Sequence, residues 1–142
     1  MKILLVVLAG ASLIAGEKRI QQKDLPPAVQ KAAQEASKGA QVAGYSKETE
    51  KGKTFYEMEL KVNGRTRDVS FDEQGNTVSV EQQVALSDVP PAVQEGLKKA
   101  AGKGRITLVE TVTKGSVVTY EAAVKGGPSK EVTVGANGKP VQ

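Results

Sequence analysis

The phrase Asp24-Leu25-Pro26-Pro27-Ala28-Val29-Gln30 returns as Asp88-Val89-Pro90-Pro91-Ala92-Val93-Gln94. A chain that repeats itself in this way is expected to build the same local structure twice. The echo continues in order downstream. Lys51-Gly52 returns as Lys114-Gly115, Tyr56-Glu57 as Tyr120-Glu121, Val69 as Val132 and Gly75 as Gly138. One short match can arise by chance in a biased sequence, but a colinear series spanning both halves points to an internal repeat.

The paired prolines suit the first turn of a helix, where the missing N–H costs nothing and the fixed φ is already helical. After them, Val29, Ala32, Ala33 and Ala36 fall at helical spacing, as do Val93, Leu97, Ala100 and Ala101. Each set describes a short amphipathic helix, with Gly39 and Gly102 placed to end it. Beyond each helix the period changes to two. In Thr54–Val62, the residues Tyr56, Met58, Leu60 and Val62 share one face, and Phe55, Glu57, Glu59 and Lys61 share the other. Tyr120, Ala122 and Val124 repeat the inward set, with Glu121 outward. Asn63-Gly64 is a two-residue hairpin signal, and the strand that returns from it carries Val69 and Phe71 inward. Val132 and Val134 hold those places in the second half. Earlier strands are expected at 42–48 and 106–113, and short final ones at 77–83 and near Val141.

The predicted fold is therefore α+β. It consists of two tandem units, each one helix packed on an antiparallel three- to four-stranded β-meander. The boundaries are 17–80 and 88–142, with 81–87 as the connection. A unit of this size is marginal alone, so the two sheets are expected to join edge to edge or the helices to share a core. Only 4% of the residues are aromatic, so that core must be largely aliphatic and thin.

Residues 1–16 have the layout of a secretory signal peptide. Lys2 precedes an apolar stretch that runs through small residues to Ala15 and Gly16. The apolar segment is short of the roughly 20 residues that a bilayer-spanning helix needs, so no stable span is expected after cleavage. The location implied is periplasmic or secreted. No cysteine follows the apolar stretch, which removes both lipid attachment at a processed cysteine and disulfide stapling.

The absence of His and Cys also closes most familiar catalytic routes, including Ser-His-Asp triads, thiolate nucleophiles and the usual structural zinc sites. The formal charge is +4, but Lys and Arg are interspersed with Glu and Asp throughout. No basic run marks a nucleic-acid partner.

The helix openings Leu25-Pro26-Pro27-Ala28-Val29 and Val89-Pro90-Pro91-Ala92-Val93 carry a family resemblance, as do the strand signatures Tyr56-Glu57-Met58 and Tyr120-Glu121-Ala122. The hairpin endings, Phe71 to Gly75 and Val134 to Gly138, complete it. Together they resemble the PepSY-like family, also described as beta-lactamase-inhibitor-like, over nearly the whole mature chain. That resemblance implies tandem units with a helix across an antiparallel sheet, an extracytoplasmic location, and binding rather than catalysis. Relatives by fold include an inhibitor that presents a concave sheet to the enzyme it blocks. PepSY segments in peptidase pro-regions imply inhibition or chaperoning of a peptidase.

The candidate binding residues are those predicted on the open sheet face: Phe55, Glu57, Glu59, Lys61 and Glu121. They would meet an extracytoplasmic protein or peptide without a cofactor, a metal or a catalytic residue. Alternation alone would also put ordinary solvated acids at these places. Two other classes stay open. One is a carboxylate-using envelope hydrolase built on Glu57 and Glu59, and the other is a low-specificity structural or stress protein of the envelope. The Asp72-Glu73-Gln74-Gly75-Asn76 stretch lacks the alternating acids of a calcium loop, so it is expected to be a tight turn.

Overall fold

The computed structural model describes residues 16–141, so the expected signal segment lies outside the described residues except for Gly16. Eight strands form one antiparallel sheet in chain order, β1-β2-β3-β4-β5-β6-β7-β8. They are β1 (Glu17–Ile20), β2 (Gln41–Glu50), β3 (Lys53–Val62), β4 (Arg65–Asp72), β5 (Thr77–Val84), β6 (Arg105–Lys114), β7 (Val117–Lys125) and β8 (Glu131–Val134). Helix α1 (Pro27–Ala36) connects β1 to β2, and α2 (Pro91–Ala101) connects β5 to β6.

The expectation of two tandem helix-plus-meander units is corrected by this continuity. Val80–Val84 of β5 pair with Val109–Thr113 of β6, so the chain forms one eight-stranded sheet with two short helices. The short strand expected at 77–83 is β5, which runs to Val84 and takes in the first part of the expected connection 81–87. Paired edges explain the outcome, since an open edge beside a small core would leave a row of backbone groups without protein partners. Strand β1 was not anticipated, and at the other end the expected strand near Val141 is reduced to a bridge between Val134 and Pro140.

The repeated phrase has a physical reading in both helices. Pro27 and Pro91 are the first helical residues. Each preceding Pro leaves the carbonyl before it without a helical partner, and the repeated Gln supplies one. Gln30 Nε2 donates to the Leu25 carbonyl at 2.9 Å, and Gln94 Nε2 donates to the Val89 carbonyl at 2.9 Å. The helix-facing positions then bury fully. Under α1, Leu25, Val29 and Ala33 pack on Tyr56, Met58, Leu60, Val69 and Phe71. Under α2, Val89, Val93 and Leu97 pack on Val109, Ala122 and Val134.

Both cores therefore lie on one face of the sheet, and each is small. Truncating Leu97, which has no exposed surface, is expected to cost 2–5 kcal/mol. A urea unfolding midpoint for Leu97→Ala within error of the parent would show that α2 contributes little to the fold.

The turns behave as their residues dictate. Asn63 (φ 52°) and Gly64 (φ 78°) close the β3–β4 hairpin with positive φ at both positions. At the end of β4, Asp72 accepts amide hydrogen bonds from Gln74 at 3.0 Å and Asn76 at 2.9 Å. These bonds, with that from the Asn76 side chain foremost, hold its carboxyl below the ordinary range. The segment is a tight turn, as its sequence implied.

Candidate binding face

With both helices on one side, the residues of opposite parity occupy the other. The β3–β4 register sets Glu57 opposite Ser70 and Glu59 opposite Asp68. The β4–β5 register sets Asp68 opposite Glu81, and the β6–β7 register sets Glu110 opposite Glu121. Directly opposed side chains have Cβ atoms about 4.5–5.5 Å apart, and like charges there are destabilising. An acid thus stands on each of five consecutive strands, β3 to β7. The strip crosses the β5–β6 seam without interruption.

No described helix or strand packs over this face, yet its floor is shielded. Asp68, Glu81 and Glu110 are 8%, 3% and 5% exposed, while Ser46, Ser70 and Ser79 are also buried. Side chains can be this crowded without a covering layer when a sheet bends around them. The register shifts at 42/44, 70/71 and 106/108 are the local irregularities that bend and twist strands. The face is a trough in burial, with shielded acids at its centre and half-buried ones at its flanks.

Burial is the main influence on these carboxyls, and their acidic neighbours reinforce it. Glu81 is pushed up to about 9 by burial and then by Glu110, Glu121, Glu57 and Asp68. Glu57 rises to about 8 through burial and then Asp68, Glu17, Glu59 and Glu48. Asp68 rises to about 6, with burial and Glu59 outweighing the opposing effect of Arg19. Glu110 and Glu121 each rise to about 7, led by burial; Lys114 partly offsets the rise at Glu121. Desolvation penalises the charged form and an adjacent anion adds to that penalty, so the trough retains protons near neutrality.

The residues picked from the sequence divide clearly. Phe55, Glu57, Glu59 and Lys61 all lie on the open face of β3, and Glu121 lies on the same face of β7. Phe55 stands between Glu48 and Asp72 and is half-buried. Glu57 is half-buried too, unlike an ordinary solvated strand acid. Glu59 forms an ion pair with Arg19 of β1 at 2.8 Å. Lys61 is exposed at the end of β3, away from the buried acids.

Four strand steps of about 4.8 Å separate Glu121 from the β3 group, so they share a surface but not a point. The sequence reading missed Asp68, Glu81 and Glu110, the most buried members. Their signal was alternation: Asp68 and Ser70 interleave with Val69 and Phe71, and Glu110 with Val109. Among the described residues, no group of three acids is placed to hold a metal ion. A separate surface hollow beside β1 is lined by Lys18, Arg19, Asp24 and Lys47, among others, and lacks the acid strip.

Comparison with known proteins places the fold. The chain resembles a DUF2874 family protein from Bacteroides ovatus, with a TM-score of 0.65 and 20% identity over 84% of this chain and 86% of that one. A BLIP-like protein from Bacteroides fragilis gives a TM-score of 0.63 at 17% identity, covering 83% and 84% of the two chains. A protein provisionally named as periplasmic, from Bacteroides eggerthii, gives 0.67 at 21% identity over 83% and 86%. No sequence-family profile and no curated protein sequence matches the chain. Among the described residues, no helix is long and apolar enough to cross a membrane.

Proposed function

We propose that this chain is an exported, non-enzymatic binding module of the periplasm that engages a protein or peptide in the trough opposite its helices. The observation that carries the reading is the face itself. It is mostly polar, with Phe55 and Val112 as its apolar members, and no described element occupies it, while both apolar cores lie on the helix-covered side. The fold likeness to a BLIP-like protein and to a protein provisionally named as periplasmic supports the same reading. The apolar, small-residue character of residues 1–16 supports export. Peptidase inhibition is the narrower form of the proposal, suggested by the sequence resemblance.

A photo-cross-linking residue at Phe55 in the native envelope should give a saturable adduct that the same residue at Lys31, on exposed α1, does not give. Equal labelling from both positions, or none from either, would count against a dedicated binding face.

The raised carboxyl of Glu57 favours a second reading, because a carboxylic acid protonated near neutrality is what a glycan hydrolase uses as its general acid. Turnover of peptidoglycan or glycan substrates that disappears in Glu57→Gln would establish it. Screening without turnover, combined with a Phe55 adduct, leaves the binding module.

A further inference from the structure

The chain as a whole is basic, at +4, but the trough is a local concentration of acids. Its centre is Asp68, Glu81 and Glu110, one from each of three adjacent strands, flanked by Glu57 and Glu59 on β3 and by Glu121 on β7. The other charged groups on this side include Glu17 and Arg19 of β1, Glu48 of β2, Lys61 of β3, Asp72 of β4, Lys114 of β6 and Glu131 of β8. Arg19 is engaged with Glu59 at 2.8 Å, and Lys114 acts on Glu121.

A second observation is an unpartnered side chain in the middle of the strip. Glu81 is 3% exposed, and its Oε2 has no hydrogen-bond partner. A buried carboxyl oxygen without a hydrogen-bond partner is costly whether or not it carries a proton, and it lies in the middle strand of the strip.

We propose that the trough receives a cationic, arginine- or lysine-rich segment of a partner protein, lying across β3 to β7 with its basic groups paired to Glu57, Asp68, Glu81, Glu110 and Glu121. The inference rests on the binding-module reading and assigns the partner its chemistry. Charge complementarity selects the occupant: an acidic or apolar segment would leave opposed carboxyls with nothing to offset them, whereas a guanidinium supplies two donors to each.

The extent of the strip selects a polymer over a point charge. Five strands span about 19 Å, which is about six residues of extended chain, and no three acids converge on a metal position among the described residues. The half-buried Glu57, Glu59 and Glu121 at the flanks provide first contact, and the shielded Asp68, Glu81 and Glu110 form the floor. Because Glu81 holds a proton in the free protein between pH 5.5 and pH 8, and Asp68 and Glu110 do so towards the acidic end of that range, pairing with cations should release protons. Affinity should therefore rise with pH and fall with salt.

The test uses the mature full-length chain and three synthetic dodecapeptides: arginine alternating with serine, glutamate alternating with serine, and serine alternating with glycine. Calorimetry at pH 5.5 and pH 8, in buffers of different ionisation enthalpy, reads affinity and proton release together. The arginine peptide should bind, tighten at least tenfold from pH 5.5 to pH 8, release protons, and weaken at least tenfold in Glu110→Gln/Glu121→Gln. Lys31→Gln, on the helix side, should leave its affinity unchanged. Equal binding of all three peptides, or binding that survives the double substitution, overturns the proposal.

Stoichiometric calcium binding without arginine-peptide binding overturns it as well, in favour of a metal. If the Phe55 cross-link recovers a partner whose contact segment is not basic and the arginine peptide fails, the binding module stands and the cationic partner is refuted. If cross-link and peptide both fail, the two readings fall together.

Discussion

Raising the pH from 5 to 8 is expected to destabilise the folded protein, the reverse of what a chain rich in ion-paired carboxylates would do. Folding lifts Asp68 to about 6, Glu110 and Glu121 to about 7, Glu57 to about 8 and Glu81 to about 9, from ordinary values of 3.8 for Asp and 4.5 for Glu. A group whose folded pKa lies above its unfolded one binds protons more tightly in the native state. Its contribution is complete below the unfolded value and is lost as pH rises through the folded value.

The loss therefore runs from about pH 5 upward. An upward shift of two units at a single group corresponds to about 2.7 kcal/mol. For a chain of this size that is a fall in Tm of roughly 10 °C. Glu81→Gln removes one buried ionisation while keeping most of the shape. It should raise Tm at pH 8, leave it nearly unchanged at pH 5, and flatten the curve between them. Calorimetric melts of parent and variant across this range are decisive. A parent curve that is flat or rises towards pH 8 would mean that the trough is hydrated enough to ionise freely.

The second large effect is expected at Gly96, in the middle of α2. Alanine in place of glycine inside a helix ordinarily stabilises by up to about 1 kcal/mol. Here the sign should reverse, because a Cβ built on Gly96 overlaps the Gly138 carbonyl oxygen. The turn after β8 lies directly against the helix backbone. Gly138 has φ 75°, and a Cβ there would overlap the Ala92 carbonyl oxygen, so neither glycine can yield to the other.

Backbone on both sides of the contact must move, and Gly96→Ala is expected to cost about 3 kcal/mol, at the upper end for a single substitution. Gly39→Ala is the control. Unlike helical Gly96 it has positive φ, at 74°, and nothing lies within 4 Å of its Cβ position, so its cost is the left-handed strain of about 1–2 kcal/mol without any steric overlap. Similar denaturation midpoints for Gly96→Ala and Gly39→Ala would remove the helix–turn contact from the explanation.

Much of the fold was legible wherever a residue's local chemistry decides the outcome. Pro27 and Pro91 announced two helix starts, Asn63-Gly64 a hairpin, and the alternation around Met58 a strand with one buried face. What local chemistry does not decide is which strand edges meet. Glu81-Gln82-Gln83-Val84 is polar enough to read both as the end of a strand and as the start of a connection. It is a strand because Gln82 and Gln83 find partners across the sheet: Gln82 Oε1 accepts from Arg67 Nε at 2.6 Å, and Gln83 Oε1 accepts from the Thr66 amide at 3.0 Å. Strand β1 has only four residues, and its place depends on pairing with the distant Tyr45–Glu48.

The acidic face was half legible for a similar reason. The outward parity of Glu57 and Glu121 follows from alternation within one strand, but their company does not. Only the cross-strand register brings Asp68, Glu81 and Glu110 into the same trough, where neighbouring side chains shield them from water.

The unbroken chain order of the strands has a consequence for how the molecule is made. Every strand pairs with its predecessor in the sequence, and only the β1–β2 and β5–β6 pairings must wait for an intervening helix. The loops to be closed are short for an eight-stranded sheet, so the entropic barrier to folding is modest. Each new strand can add to an edge already formed. A chain that crosses a membrane extended and N-terminus first can thus assemble in the order in which it emerges.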